Sequence, residues 1–303
     1  MARLWEPEQV IEPPLALQLI QEQFPELSAK HIRLLGTGWD NTAFAVDDEF
    51  IFRFPRREIA LPLLEAEWCA LPRLAHRLPL PIPVPKWKGS PTSSFPWPFI
   101  GYRMLPGFTA CYANLPEDQR VSLAEPIARF LSVLHATHQS EISSCHIPGD
   151  NRSRIDGTLL IEKIHKNFEE LSLLGIEQKK QLESTVKSLQ HFRPPMSTCV
   201  VHGDFYVRHL LVNENHHLCG VIDWGDIHFG DPAIDLAIAH SFLPVEAHKV
   251  FVRAYGEVSD ATWALAKLRA IYSSTLLVLF GHHSGDPIIM REGLRSLKIM
   301  ASA

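Results

Sequence analysis

Two apolar runs that each stop abruptly on an aspartate constrain this chain more than any other feature. The first is Val200-Val201-His202-Gly203-Asp204, and the second ends at Ile222-Asp223-Trp224. Between them, Leu210–Val212 and Leu218–Ile222 have the apolar character of short strands, and Asn213–His217 has turn composition. That pattern predicts a hairpin. A hairpin here gathers Asp204, His209 and Asp223 at one edge, and a third acidic element, Gly230-Asp231-Pro232-Ala233-Ile234-Asp235, follows within a few residues. A lone His-Gly-Asp is an ordinary turn; three acidic elements in this order are a site. One carboxylate placed to take a hydroxyl proton and a second placed to hold a divalent cation is the grouping that phosphoryl transfer needs.

Composition narrows the partners. The chain has 303 residues, 46% hydrophobic and 21% charged, enough for one large domain or two lobes. A formal charge of -5 offers no broad basic footprint, which argues against a nucleic-acid partner. The five cysteines, Cys69, Cys111, Cys145, Cys199 and Cys219, are scattered and lack metal-ligand spacing. They read as free thiols in a reducing compartment. The first residues lack the apolar run of a signal peptide. The apolar stretch Ser273–Gly281 is far shorter than the roughly 20 residues of a membrane span. The expectation is a soluble, cytoplasmic protein with no membrane partner and an oligomeric state left open.

Along the chain, Leu15–Phe24 reads as a short amphipathic helix. His31–Gly36, Asn41–Val46 and Glu49–Phe54 read as an antiparallel meander punctuated by Gly36-Thr37-Gly38 and Asp47-Asp48. Glu58–Leu78 has Leu63, Leu64, Trp68, Leu71 and Leu74 at helical spacing. A proline-dense stretch, Leu78–Pro98, precedes a strand-like Phe99–Leu105, which Pro106-Gly107 breaks. From there the pattern is helical at Val121–His138, Leu159–Leu174, Glu177–Phe192, Pro232–Phe242, Val245–Tyr255 and Ala261–Phe280, with a β-rich interruption at Cys199–Trp224. This predicts an α+β protein, with a small antiparallel β-rich lobe over 1–105 and a larger, mainly helical lobe over 106–303.

These motifs resemble the aminoglycoside phosphotransferase and choline kinase superfamily, whose signature is His-Gly-Asp, then a metal ligand, then Ile-Asp-Phe/Trp. The likeness runs along most of the chain and is densest over Val200–Ala239. It implies a two-lobed, protein-kinase-like fold that uses ATP or GTP and Mg2+ to phosphorylate a small-molecule hydroxyl. It implies Asp204 as the catalytic carboxylate and Asp223 as a magnesium ligand, with Asp231 and Asp235 bracing the loop. Where most of the superfamily carries Asn as the further metal ligand, this chain has His209. The run Tyr206-Val207-Arg208-His209 is similar to that of macrolide phosphotransferases. Magnesium prefers oxygen, so His209 binds it weakly, binds through water, or contacts phosphate.

The likeness extends to the front lobe. Phe52-Arg53-Phe54 resembles the strand that carries the phosphate-pairing lysine, with Arg53 at the lysine position; alternation turns Arg53 away from the two phenylalanines. Glu67 borders the inward leucine stripe and is preferred over Glu65 as the partner of Arg53. Gly36 and Gly38 stand where a phosphate-covering loop belongs, with Trp39 beside them, and the backbone around Met104, within Tyr102–Leu105, is the expected purine-facing hinge. His216-His217 and His282-His283 lack the separated partners of a tetrahedral metal site. The acceptor implied by the likeness is an aminoglycoside or macrolide antibiotic. A metabolite kinase acting on choline, a sugar or an amino alcohol is the second reading, and a regulatory pseudokinase the third.

Overall fold

The structure is a computed structural model that describes residues 7–38, 40–150, 153–175, 179–189 and 198–302. Trp39 and the outer ends of the expected helix Glu177–Phe192 lie outside the described residues.

Alternation of apolar residues builds the first sheet. Helix α1 (Pro13–Gln23) starts on prolines, which suit a first helical turn, and buries Ala16, Leu19 and Ile20. Strands β1 (Ile32–Thr37), β2 (Asn41–Val46) and β3 (Phe50–Pro55) follow, then α2 (Leu61–Leu74), β4 (Pro85–Gly89) and β5 (Phe99–Arg103). They form a five-stranded antiparallel sheet in the order β1-β2-β3-β5-β4. Asp47 and Asp48 both have positive φ, 51° and 53°, as the tight β2–β3 hairpin requires. One face is aromatic: Phe44, Phe52, Phe54 and Phe99 are fully buried, and Phe54 stacks on Phe99 with ring centroids 4.3 Å apart. Strand β4 arises inside the proline-dense stretch, where no strand was expected. It is an edge strand, the one place in a sheet where a proline's missing N–H costs little.

The larger lobe starts with β6 (Phe108–Thr109), followed by α3 (Glu117–Ser122), α4 (Ala124–His135), α5 (Gly157–Leu173) and α6 (Lys179–Leu189). Strands β7 (Cys199–Val201), β8 (Leu210–Val212), β9 (Leu218–Val221) and β10 (His228–Gly230) come next, then α7 (Ala233–Ser241), α8 (His248–Tyr255), α9 (Asp260–Ser284) and α10 (Pro287–Ser302). The expected hairpin forms between β8 and β9. The helix expected over Val121–His138 is instead two, α3 and α4, parting at Leu123. Helix α10, unanticipated, is pinned to α3 by a buried Arg120–Glu292 ion pair at 2.7 Å.

Two expectations need correction. Cys69 and Cys145 are joined in a disulfide across 76 residues, so only Cys111, Cys199 and Cys219 are free thiols. Spacing along the chain does not report the approach of α2 to the 139–150 segment, which brings the two sulfurs together. Helix α9 runs 25 residues and is apolar enough by length and composition to cross a membrane, well beyond the short stretch read from the sequence. Within this fold 61% of its apolar window is buried, as in a core helix.

Candidate active site

The site is assembled where β7, the β8–β9 hairpin and the sheet meet. Val201 ends β7, and the chain turns at Gly203 with φ 84°. A Cβ there would lie 2.2 Å from the Asp226 carbonyl oxygen, so only glycine fits. The turn hangs on Asp235, fully buried on α7, whose carboxylate accepts from the His202 N–H at 2.7 Å and the Gly203 N–H at 2.9 Å. His135 Nε2 meets the same carboxylate at 3.1 Å, and its Nδ1 faces the Tyr255 hydroxyl at 2.8 Å. Burial would raise the Asp235 carboxyl, but His135, His202 and these hydrogen bonds outweigh it and hold it below the usual carboxylate range.

His202 is a strut. Its Nε2 donates to the Ile222 carbonyl at 3.0 Å, and its Nδ1 accepts from the Asp204 N–H at 3.3 Å, so the ring is neutral. Burial lowers its pKa to about 4, against the pull of Asp235. It thereby ties the residue before Asp223 to the backbone of Asp204.

Asp204, His209, Asp223 and Arg53 form a chain of contacts. His209 Nδ1 donates to the Asp204 carbonyl at 2.8 Å, which fixes the tautomer and aims Nε2 at Asp223 Oδ2, 3.3 Å away. A bare Nε2 lone pair facing a carboxylate is repulsive, so that gap suits a proton or a cation. Asp223 itself sits at φ 61°, a left-handed conformation uncommon outside glycine and asparagine. Burial works to raise its carboxyl, yet His209 and Arg53 hold it well below the usual range. Asp204 behaves oppositely: desolvation pushes it up to about 6, with His209 opposing and Asp226 and Asp223 adding to the rise.

Arg53 lies on the central strand β3 and is 7% exposed, so it is not a solvated arginine of an edge strand. Its Nη1 pairs with Glu67 of α2 at 2.5 Å and its Nη2 reaches Asp223 at 3.4 Å. Burial disfavours its charge, but Glu67 and Asp223 outweigh burial and raise its pKa. Glu65, the rival partner, pairs with Lys88 at the surface instead.

Other expected positions contribute no contact to this group. A Cβ on Gly36 would meet nothing within 4 Å, and one on Gly38 would meet only the Asn41 carbonyl at 3.5 Å. Neither glycine is required by packing. Met104 N–H donates to the Glu49 carbonyl at 2.8 Å, so its amide is already used; the next N–H, of Leu105, has no partner among the described residues. His216 occupies a turn with φ 60°, and His283 pairs with Glu170 at 3.3 Å. Among the described residues no group of three or more His, Cys, Asp or Glu has the geometry of a metal cluster. Sequence reasoning missed His135 and Tyr255, whose partners lie far along the chain, and gave His202 only as part of the His-Gly-Asp triplet.

A β-sheet lobe with a buried arginine–glutamate pair, set against a helical lobe whose loops present two aspartates, defines a two-lobed kinase. The description "Phosphotransferase enzyme family" matches residues 31–271, and the chain belongs to that family. An aminoglycoside 3'-phosphotransferase of Streptomyces ribosidificus is 30% identical over 159 residues, 50% of this chain and 57% of that protein. The solved GDP complex of wild-type aminoglycoside 2'-phosphotransferase-IIIa is 25% identical, covers 96% of this chain and 99% of its own, and superposes with a TM-score of 0.70. A macrolide 2'-phosphotransferase type I shares the fold at 23% identity and a TM-score of 0.59, over 95% of this chain and 98% of its own. The chain is a small-molecule kinase with a nucleotide-binding fold.

Proposed function

We propose that this kinase transfers the terminal phosphoryl group of ATP or GTP to a hydroxyl of a small molecule, with Asp204 accepting the hydroxyl proton. The observation that carries the reading is the unbroken line of contacts Glu67–Arg53–Asp223–His209–Asp204 across the two lobes. In this reading Arg53 grips the nucleotide phosphates and Glu67 holds it in place. Gly36 and Gly38 let the loop backbone approach those phosphates, since neither is needed for packing. The purine meets the backbone at Met104 and Leu105, with the Leu105 N–H as donor because that of Met104 is engaged. The lobes divide after Leu105.

Asp223 and His209 are the residues that would hold a magnesium ion, which when bound neutralises charge on the phosphates. Two protein ligands suffice for magnesium, which keeps waters and phosphate oxygens as the rest of its shell. His209 fits because its Nδ1–H is committed to the Asp204 carbonyl, leaving Nε2 directed at Asp223. Asp204 takes the proton as the acceptor oxygen bonds to phosphorus and the nucleoside diphosphate departs. A carboxyl pushed up to about 6 is better matched to that task near neutrality than an ordinary aspartate.

The names of the relatives point to aminoglycoside or macrolide acceptors, and metabolite alcohols remain the alternative within the same chemistry. A coupled nucleotide-turnover screen across these classes, with mass detection of the phosphorylated product, tests the reading. Absence of metal-dependent turnover on every class, with nucleotide binding retained, would instead make the chain a pseudokinase.

A further inference from the structure

Beyond Asp204, the surface of α9 carries a pattern that the phosphate machinery does not use. Arg269, Tyr272, Leu276 and Phe280 recur at helical spacing and share one face. Leu276 is 40% and Phe280 49% exposed. The face is about 16 Å long from Arg269 to Phe280, at ~1.5 Å per residue. Cations flank it. The Arg269 guanidinium lies 5.3 Å from the centre of the Tyr272 ring, and the Lys163 ammonium of α5 lies 5.7 Å from the same ring. At the far end the Arg208 guanidinium lies 5.7 Å from the Phe280 ring.

Charge pairing around this face is lopsided. Arg269, Lys163 and Arg208 form no salt bridge among the described residues. The acids nearby have other partners: Asp226 pairs with Arg154, Glu170 lies 3.3 Å from His283, and Asp286 accepts from the Tyr112 hydroxyl and the N–H groups of Ile288 and Ile289 while its charge also acts on Arg208. Glu162 and Glu169 fall off the row Lys163–Asn167–Glu170 by which α5 meets α9. The carboxylate that most supports Arg269 is Asp204. Arg53 pairs with Asp223 at 3.4 Å, whereas Arg269 is the guanidinium whose charge acts on Asp204. Arg53 serves the nucleotide, which leaves Arg269 to the acceptor.

We infer that the acceptor is a hydroxyl compound with an apolar body and a carboxylate or phosphate group, bound along Arg269, Tyr272, Leu276 and Phe280, and not a polycation. An ammonium group beside the reacting hydroxyl would face Arg269 and Lys163 at a cost, whereas an acid group there gains charge-assisted hydrogen bonds. The aromatic and leucine side chains between the cations receive the apolar body. The inference rests on Asp204 marking the acceptor end, and it departs from the acceptors named in the relatives.

Calorimetric titration of the full chain, saturated with ADP and magnesium, tests it with ω-hydroxydecanoate, its methyl ester, the matching ω-amino alcohol and kanamycin. The acid is expected to bind about tenfold tighter than the ester and tighter still than the amine, a charged hydrogen bond's worth of preference. Arg269→Gln should erase the acid–ester difference while leaving ADP affinity unchanged, Lys163→Gln should reduce it, and Arg269→Glu should invert the acid–amine order. Amine or kanamycin binding at least as tight as the acid overturns the inference, as does failure of all four to bind. Loss of ADP binding in wild type would strike the kinase reading itself, and this inference with it; retained ADP binding with the wrong acceptor order strikes the inference alone.

Discussion

At the residue scale, the reaction depends on proton positions that neighbouring charges set. With Asp204 as the proposed proton acceptor, Asp204→Asn should lower turnover by ~10²–10⁴ while sparing nucleotide binding; steady-state kinetics beside calorimetry checks both. Because the Asp204 carboxyl is raised to about 6, its basic form is present above that pH and lost below it. Turnover should therefore fall as pH drops through about 6. His209→Asn exchanges an imidazole for a hard oxygen. If Nε2 enters the metal shell, manganese should support wild-type turnover better, relative to magnesium, than it supports the variant. An unchanged ratio would remove His209 from the shell. Arg53→Lys keeps the charge but loses the fork that meets Glu67 and Asp223 together, so it should weaken nucleotide binding moderately, and Arg53→Ala far more. The sequence pointed to Asp204 and Asp223 because each ends an apolar run, to Glu67 because it borders an apolar stripe, and to Arg53 through its alternation with Phe52 and Phe54; the structure brings the four, with His209, into one line of contacts. His202 was visible only as part of a triplet. Its work as a strut depends on the Ile222 carbonyl, 20 residues away, and no local pattern records that.

Elements hold these residues in register. Helix α7 has one buried acid, Asp235, which supports two backbone N–H groups of the turn before Asp204 and meets His135 of α4. Asp235→Ala leaves those groups buried and unpaired, and should cost about 3–5 kcal/mol in stability, measured by denaturant unfolding. The pH dependence has a definite sign. The folded-state pKa of Asp235 lies below its unfolded value, so its contribution is complete above the ordinary carboxylate range and disappears as pH falls through the folded value. The wild type should lose stability on acidification over that window, and the variant less. At this scale the sequence was clear where periodicity was strong, as in β2, β3, α5 and the β8–β9 hairpin. It was silent where tertiary contact decides. Strand β4 exists because β5 offers an edge. Helices α3 and α4 divide at Leu123 inside one continuous apolar pattern. Helix α10 carries a buried Glu292 that only its partner Arg120 explains.

On the scale of the whole molecule, ion pairs join the front lobe to the helical lobe at Arg53–Asp223 and at Arg77–Glu141. Arg53 of the sheet reaches Asp223 beyond β9 across 3.4 Å, so a bound nucleotide and cation would engage both lobes at once. A ligand that binds only the folded state raises stability by RT ln(1 + [L]/Kd), about 2.7 kcal/mol at a hundredfold excess over Kd. For the wild type, ADP should raise the melting temperature, and, on the proposal that Asp223 and His209 hold the metal, magnesium should raise it further. Asp223→Ala removes the main anionic ligand proposed for the metal, and leaves a Cβ at φ 61°, where alanine is no better suited than aspartate. The variant should therefore keep a shift with ADP alone and lose the increment from magnesium. Thermal melts in four conditions, apo, ADP, magnesium and both, separate the terms. An equal magnesium increment in wild type and variant would mean that Asp223 supports Arg53 and the β9 turn without touching metal, and the metal site would have to be sought among the remaining acids, Asp204 and Asp226.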